Sequence, residues 1–470
     1  MPARSQRPIT RKLLGFLACF LGAPMLVWPA WLNGYPLVFI DTVSYLLHTT
    51  VPEVPWDKTQ VYGPFLHAFH WQRSLWAPML VQGLVASHLV WLAQAAVRGR
   101  AGPDWQRLGW HLLVCAGLAL LTPAPWFLAT LMPDAFTGLV PISLFLLAFG
   151  RLGTGQALWV GGLAVLAVAS HLSHLPVALA LLGLVLLLTR RLSPLLRAGL
   201  PVALAVLLLC LANLMAFDRF TPSPHGAAFL LARLQADGPA AALLRDRCAN
   251  FPPGAGWHLC GFTDQLPMDS DEFLWDETSP LNREADGSLR RMGAMRGAAE
   301  AQAIIGATLR AYPLWVAGAA AGNALAQSAT FRVGDTLVAD HLALSARRAI
   351  AEFFPAEELA QFDAGAQMQG ALPAQAAPWL LPHLPVVLAA LLAAPWMAWR
   401  AARARDGPRL ALLALAFGAL LANAAAAGAL SKPHHRYQAR IVWLLPLAVA
   451  VAALPRRPDI RPQQPQAITL

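Results

Sequence analysis

Charge is what this sequence has least of. Asp, Glu, Lys and Arg make up 13% of its 470 residues, about half of the roughly 25% that soluble domains carry. With 57% hydrophobic residues and a mean hydropathy of +0.50, that scarcity excludes a soluble enzyme. Lysine is almost missing: Lys12, Lys58 and Lys432 are the only three among 35 cationic residues. This arginine bias, with abundant Ala, Pro and Gly, fits a high-GC bacterial genome. Cysteine is limited to five residues, with no CxxC and no Cys/His spacing of the zinc type, which excludes a disulfide scaffold and a zinc module. Heptad runs and internal repeats are absent as well. The formal charge of +10 does not point to nucleic acid, which needs cations on one solvated face or groove. The cations follow membrane sidedness instead.

What the sequence does have is long apolar windows almost free of charge, which read as membrane helices because each backbone polar group must be satisfied inside the segment. Ten of them run over 13–32, 75–97, 109–122, 133–149, 157–170, 175–189, 198–217, 379–399, 410–430 and 441–455. No A-x-A cleavage site follows the first, so it is read as an anchor. With the N-terminus inside, the cytoplasmic connections hold 18 of the Lys and Arg residues and the short outer connections hold 5, the asymmetry expected of a multi-pass inner-membrane protein. The remaining 12 lie in 218–378 beside 18 acidic residues, a region of net negative charge assigned to the outer side. The expected architecture is therefore an all-α polytopic membrane protein of about ten transmembrane helices with one large mixed extracytoplasmic domain. Its parts are a membrane module over 1–217, the domain over 218–378, a second membrane module over 379–455 and a disordered cytoplasmic tail over 456–470. Residues 313–329, PLWVAGAAAGNALAQSA, read as a re-entrant or interfacial helix, with a true span as the alternative, because an eleventh crossing would turn Arg400, Arg403, Arg405 and Arg409 outward.

Polar residues at membrane depth sort to the outer helix ends. In FIDTVSYLLHTT, Asp41, Tyr45 and His48 share one face of a short helix, and a carboxylate at a bilayer boundary is either functional or a helix cap. The same pair of readings holds for Asp134 in LMPDAF. His171 and His174 in ASHLSHLP form either the polar lining of a cavity or part of a metal site. The last outer connection, SKPHHRYQAR, carries Lys432, His434, His435, Arg436 and Arg440; such planar forks suit phosphate oxygens, or else contact anionic lipid heads. Glu53, Asp57 and Lys58 read as solvated loop charges, and His67 and His70 as interface residues. The acidic run Asp269, Asp271, Glu272, Asp276 and Glu277 reads as a solvated loop, since it lacks the glycine and spacing of a calcium hand. Cys248 and Cys260 flank a chain-reversing PPGAG in the region assigned to the oxidising side, so a disulfide is expected, with Cys19, Cys115 and Cys210 reduced.

This arrangement resembles the GT-C superfamily of integral-membrane glycosyltransferases. The resemblance is carried by Asp41 and Tyr45 just after the first helix, YGPFLHAF before the second, the Asp134 loop before the fourth, and HRYQARIVWLLPL at a late helix. It departs from the family in one respect: Thr42 follows Asp41 where a second acidic residue is expected. The resemblance implies transfer of a sugar from a polyprenyl-phosphate donor to a glycan, lipid or protein acceptor at the outer face. Asp41 would act as base, Asp134 would position the acceptor or a divalent metal, and Arg436 with Arg440 or His435 would hold the departing phosphate. The alternative class is a transporter or another lipid-processing membrane protein. Transporters commonly place ionisable or helix-breaking residues at the midplane of two similar halves, and neither feature is present.

Overall fold

The computed structural model describes residues 8–52, 54–99, 104–249, 251 and 256–455, with the side chains of 8–12 and 104 also left aside. Glu53 and the tail 456–470 lie outside the described residues. The regular structure of the described residues is helical; the only β pairings among them are the isolated bridges Leu37 with Thr130 and Arg283 with Leu289. Among the described residues four helices are long and apolar enough to cross a membrane: Trp76–Arg98, Leu192–Phe217, Leu372–Arg403 and Gly407–Leu430. A fifth is added if Ala298–Ala311 and Pro313–Ala329, bent by 102° at their junction, count as one broken span. A bend that sharp belongs to a broken or re-entrant segment rather than to a straight crossing. The remaining apolar windows fold as shorter helices, among them Thr154–Ala169 and His174–Thr189.

The Leu192–Phe217 helix shows what its apolar surface faces. Leu192, Leu196, Leu200, Leu204, Leu207 and Leu211 are exposed along its length, at the three- and four-residue spacing of one helical stripe. So continuous an apolar face is unstable against water and suits lipid. At the chain's arginine-rich connections, guanidinium groups lie over indole rings: Arg400 on Trp396 at 4.8 Å, Arg403 on Trp399 at 4.3 Å and Arg107 on Trp91 at 4.7 Å. Such pairs are typical of a membrane interface.

The segment 218–378 divides, where the sequence reading expects one domain. Residues 228–307 build their own core around Leu231, Leu244, Phe273 and Ile304, a helical module stapled by the disulfide Cys248–Cys260. The stretch from Val333 to Ala376 instead packs into the core formed by the apolar helices. Buried Glu358 explains part of that attachment: one of its oxygens accepts from the Tyr35 hydroxyl at 2.7 Å and the Leu75 amide at 2.7 Å. Gln367 adds to it by donating to Val38 and Thr336 carbonyls at 2.8 and 3.0 Å.

Several of the expected spans are broken, and in two of them the breaks meet. One runs as Asp134–Thr137 and Leu139–Phe149, the other as His435–Val442 and Leu444–Ala453. Gly138 at the first break lies under the ring of Trp443 at the second, and a Cβ there would sit 2.2 Å from the indole. Glycine is therefore required for this close approach, and the approach sets the ends of the two broken helices side by side.

Candidate active site

A backbone bridge brings the two expected aspartates together. The Leu37 amide donates to the Ala129 carbonyl at 3.0 Å and the Leu131 amide to the Leu37 carbonyl at 2.8 Å. Asp41 and Asp134 each follow one side of this bridge by four residues. Thr42 tightens it, since its hydroxyl accepts from the Phe39 amide and donates to the Leu131 carbonyl. Gln82, buried in the Trp76–Arg98 helix, donates to the Leu128 and Thr130 carbonyls at 2.9 and 3.1 Å and accepts the Tyr62 hydroxyl. A glutamine in an apolar span satisfies its donors in this way, and here it orients the segment before Asp134.

Neither aspartate caps its helix through its side chain, so capping is not what holds them. Asp134 is sealed: its Oδ1 accepts from Arg440 Nη1 at 3.1 Å, with the two side chains 2% and 1% exposed. The same guanidinium donates to Ser173 Oγ at 2.9 Å and lies 3.5 Å from Asn423 Oδ1. Ser173 Oγ is 2.8 Å from His171 Nδ1, which also accepts the Ser173 amide. His174 sits beside this chain of contacts, bonded to the Thr137 hydroxyl at 2.8 Å and to the Ala167 carbonyl at 2.7 Å. Arg440 is thus paired inside the protein, with its buried Nε and Asp134 Oδ2 left without a hydrogen-bond partner; the expectation set it beside Arg436 on one phosphate, whereas here it is 1% exposed and held by Asp134.

Asp41 has a more open environment, with 29% of its side chain exposed. Lys58 Nζ donates to Oδ1 at 3.0 Å and Arg436 Nη1 lies 3.6 Å from Oδ2. Burial alone raises a carboxyl pKa, but Lys58 and Arg436 outweigh it and hold Asp41 below its ordinary value. Arg436 packs its guanidinium 4.2 Å over Phe39 and 5.3 Å from Tyr437, and its buried Nη1 makes no hydrogen bond. It is a cation with a donor in reserve. Lys58 is a correction to the sequence reading: far from a solvated loop charge, it is mostly buried and bridges Asp41 to Asp57, 2.7 Å away. Only its lysine identity in a lysine-poor chain marks it in advance.

The other candidates are placed around this cluster or away from it. Tyr45 is buried edge-on against Tyr62 with centroids 5.0 Å apart, and His48 lies against Gly63 with Nδ1 unpartnered. His434 and His435 face elsewhere: His434 Nε2 is 3.2 Å from Asp271, and His435 Nδ1 accepts the Arg332 amide. Asp269 and Asp271 pair with Lys432 at 2.6 and 3.3 Å, so this part of the acidic run is not a free solvated loop. His70 is buried, not interfacial, and Cys19, Cys115 and Cys210 are free and buried. Among the described residues no three His, Cys, Asp or Glu side chains are grouped to hold a metal ion. An apolar groove of about 330 Å³ between Trp110, Val114, Val386 and Pro446 includes none of the charged cluster in its lining.

No protein-family model, curated protein or solved structure matches the chain.

Proposed function

We propose that the protein is a bacterial inner-membrane glycosyltransferase that moves a sugar from a polyprenyl-phosphate donor to an acceptor at the outer face, in the manner of the GT-C superfamily. The reading takes about ten of the apolar helices as membrane-crossing, both termini as cytoplasmic and the 228–307 module as extracytoplasmic. The arginine-on-tryptophan pairs and the arginine-rich connections support that orientation. The single observation that carries the function is the accessible carboxylate of Asp41 between two largely buried cations, Lys58 and Arg436. A base for the acceptor and a cradle for a leaving phosphate are what this chemistry needs side by side.

In the resting arrangement Asp41 is a poor base, because its cations keep it ionised and weakly proton-seeking. An anionic lipid phosphate entering the site competes for Arg436 and Lys58 and loosens their hold. Asp41 then takes the proton of the acceptor hydroxyl as its oxygen bonds to the anomeric carbon. The bond from that carbon to the phosphate oxygen breaks, its electron pair leaves with the lipid phosphate, and Arg436 and Lys58 meet the exposed charge. A single displacement inverts the anomeric centre. Asp134 and Arg440, sealed together, hold the broken helices that aim Arg436. Sugar, lipid length and acceptor are to be found by offering purified protein in proteoliposomes a panel of decaprenyl-phosphate sugars. The reading requires release of decaprenyl phosphate from at least one; no release from any donor with any acceptor class contradicts it.

A further inference from the structure

The two cations at Asp41 come from loops far apart in sequence, and one short helix, Ser270–Trp275, touches both loops. At its C-terminal end Trp275 lies 5.7 Å from Trp56, which also packs 5.7 Å from Phe229 of the same module. Lys58 follows Trp56 by two residues. At its N-terminal end Asp269 and Asp271 hold Lys432, and Asp271 meets His434; Arg436 follows His434 by two residues. The backbone of His434 is pinned on another side by Gln327, which accepts its amide at 2.9 Å and donates to its carbonyl at 2.8 Å.

We infer that the Ser270–Trp275 helix is a clamp that sets the spacing of Lys58 and Arg436 across Asp41, with Asp269, Asp271 and Trp275 as positioning residues. The inference rests on the reading of that cluster as the reacting centre. Two separate loops that each deliver one cation lose catalytic value if their separation drifts, since small misplacements of a reacting group cost large factors in rate. Ion pairs this exposed are individually weak. The two ionic contacts and the aromatic one therefore act together, and single substitutions have small effects beside the combined change.

Nitroxide labels on Pro52→Cys and Ser431→Cys report the loop separation by electron paramagnetic resonance. The native cysteines do not compete, three being buried and two disulfide-bonded. The clamp predicts one narrow distance with the helix intact and a clearly broadened distribution after Asp269→Asn, Asp271→Asn and Trp275→Ala together. Asp269→Lys alone should broaden it, and adding Lys432→Glu should narrow it again, which a misfolded module would not do. An unchanged distribution in the triple variant overturns the clamp whatever chemistry the cluster performs. The same triple variant should bind decaprenyl phosphate several-fold more weakly. Wild-type protein that fails to bind decaprenyl phosphate sinks the transfer reading and leaves the distances to decide the clamp.

Discussion

Asp134 and Asp41 stand at matching places on the two sides of one backbone bridge and face arginines a single helical turn apart, yet their surroundings are opposite. The Asp134–Arg440 pair is nearly solvent-free, and Nη2 of Arg440 also reaches Ser173 and Asn423, although its Nε makes no hydrogen bond. Asp41 keeps more than a quarter of its side chain accessible, shares two cations and faces an Arg436 donor that makes no hydrogen bond. Sealing an ion pair costs desolvation that only good geometry repays, and breaking one strands a buried charge. An accessible pair exchanges partners cheaply. The difference teaches that two similar Asp–Arg pairs can divide the work, one holding the helix ends and the other meeting a ligand.

Removing a carboxylate from each pair is the strongest way to break the comparison. Asp134→Ala leaves Arg440 charged and unpaired in the core, and a loss of about 3–5 kcal/mol is expected. Asp41→Ala removes a partly exposed partner and leaves Lys58 paired with Asp57, so its cost should be clearly smaller than that of Asp134→Ala. Thermal unfolding of both variants in one detergent checks this; equal destabilisation would erase the distinction between the pairs.

How much of this was legible in the sequence differs between the same two regions. The apolar windows announce a helical membrane protein, and Asp41, Asp134, Arg436 and Arg440 stand out because charge at a helix end is costly. Their pairing does not stand out, because it depends on the Leu37–Thr130 bridge and on the Gly138–Trp443 contact, neither of which leaves a periodic mark. Lys58 is hidden for the same reason: in a proline- and tryptophan-rich loop a buried lysine and a solvated one read alike. The division of 218–378 is hidden because both of its parts are amphipathic helices, and only packing tells which core each face joins. The number of crossings also exceeds what local pattern can decide, since broken helices such as Asp134–Thr137 and Leu139–Phe149 merge into one apolar window.

The module and the membrane helices can be contrasted through the disulfide. Cys248→Ser removes a cross-link closing a loop of about a dozen residues, and the expected cost is about 3 kcal/mol. Hydrogen exchange should show that loss within 228–307, with the apolar helices unchanged. Protection lost throughout would mean the two cores are one folding unit.

A smaller effect separates the open arginine from a generic surface cation. Arg436→Lys keeps the charge but not the planar fork, so decaprenyl phosphate affinity at fixed salt should fall several-fold, and further in Arg436→Ala. Equal affinity in all three would assign this loop to headgroup contact instead. The smallest effect expected is at the module's edge. The His434 contact holds Asp271 below its ordinary carboxyl value of 3.8; at Asp269 burial acts upward, and the Lys432 bond together with the Asp271 and Glu272 amides outweighs it to lower that group as well. Their contribution is present above that ordinary value and is lost as pH falls through the lowered one. Lys432 is raised above its ordinary 10.5, chiefly by the Asp269 bond, so its contribution is present below 10.5 and is lost at still higher pH. The separation of labels on Pro52→Cys and Ser431→Cys should therefore broaden as pH falls through the lowered carboxyl values.

The central claim is that Asp41 performs the proton transfer of a glycosyl displacement, and one substitution tests it. Asp41→Asn keeps the size of the side chain and deletes the base. In proteoliposomes loaded with a competent decaprenyl-phosphate sugar, single-turnover release of decaprenyl phosphate should slow by about 10²- to 10⁴-fold, while the unfolding temperature stays near that of wild type. Release at the wild-type rate by the Asn variant would contradict the claim and remove Asp41 from the chemistry.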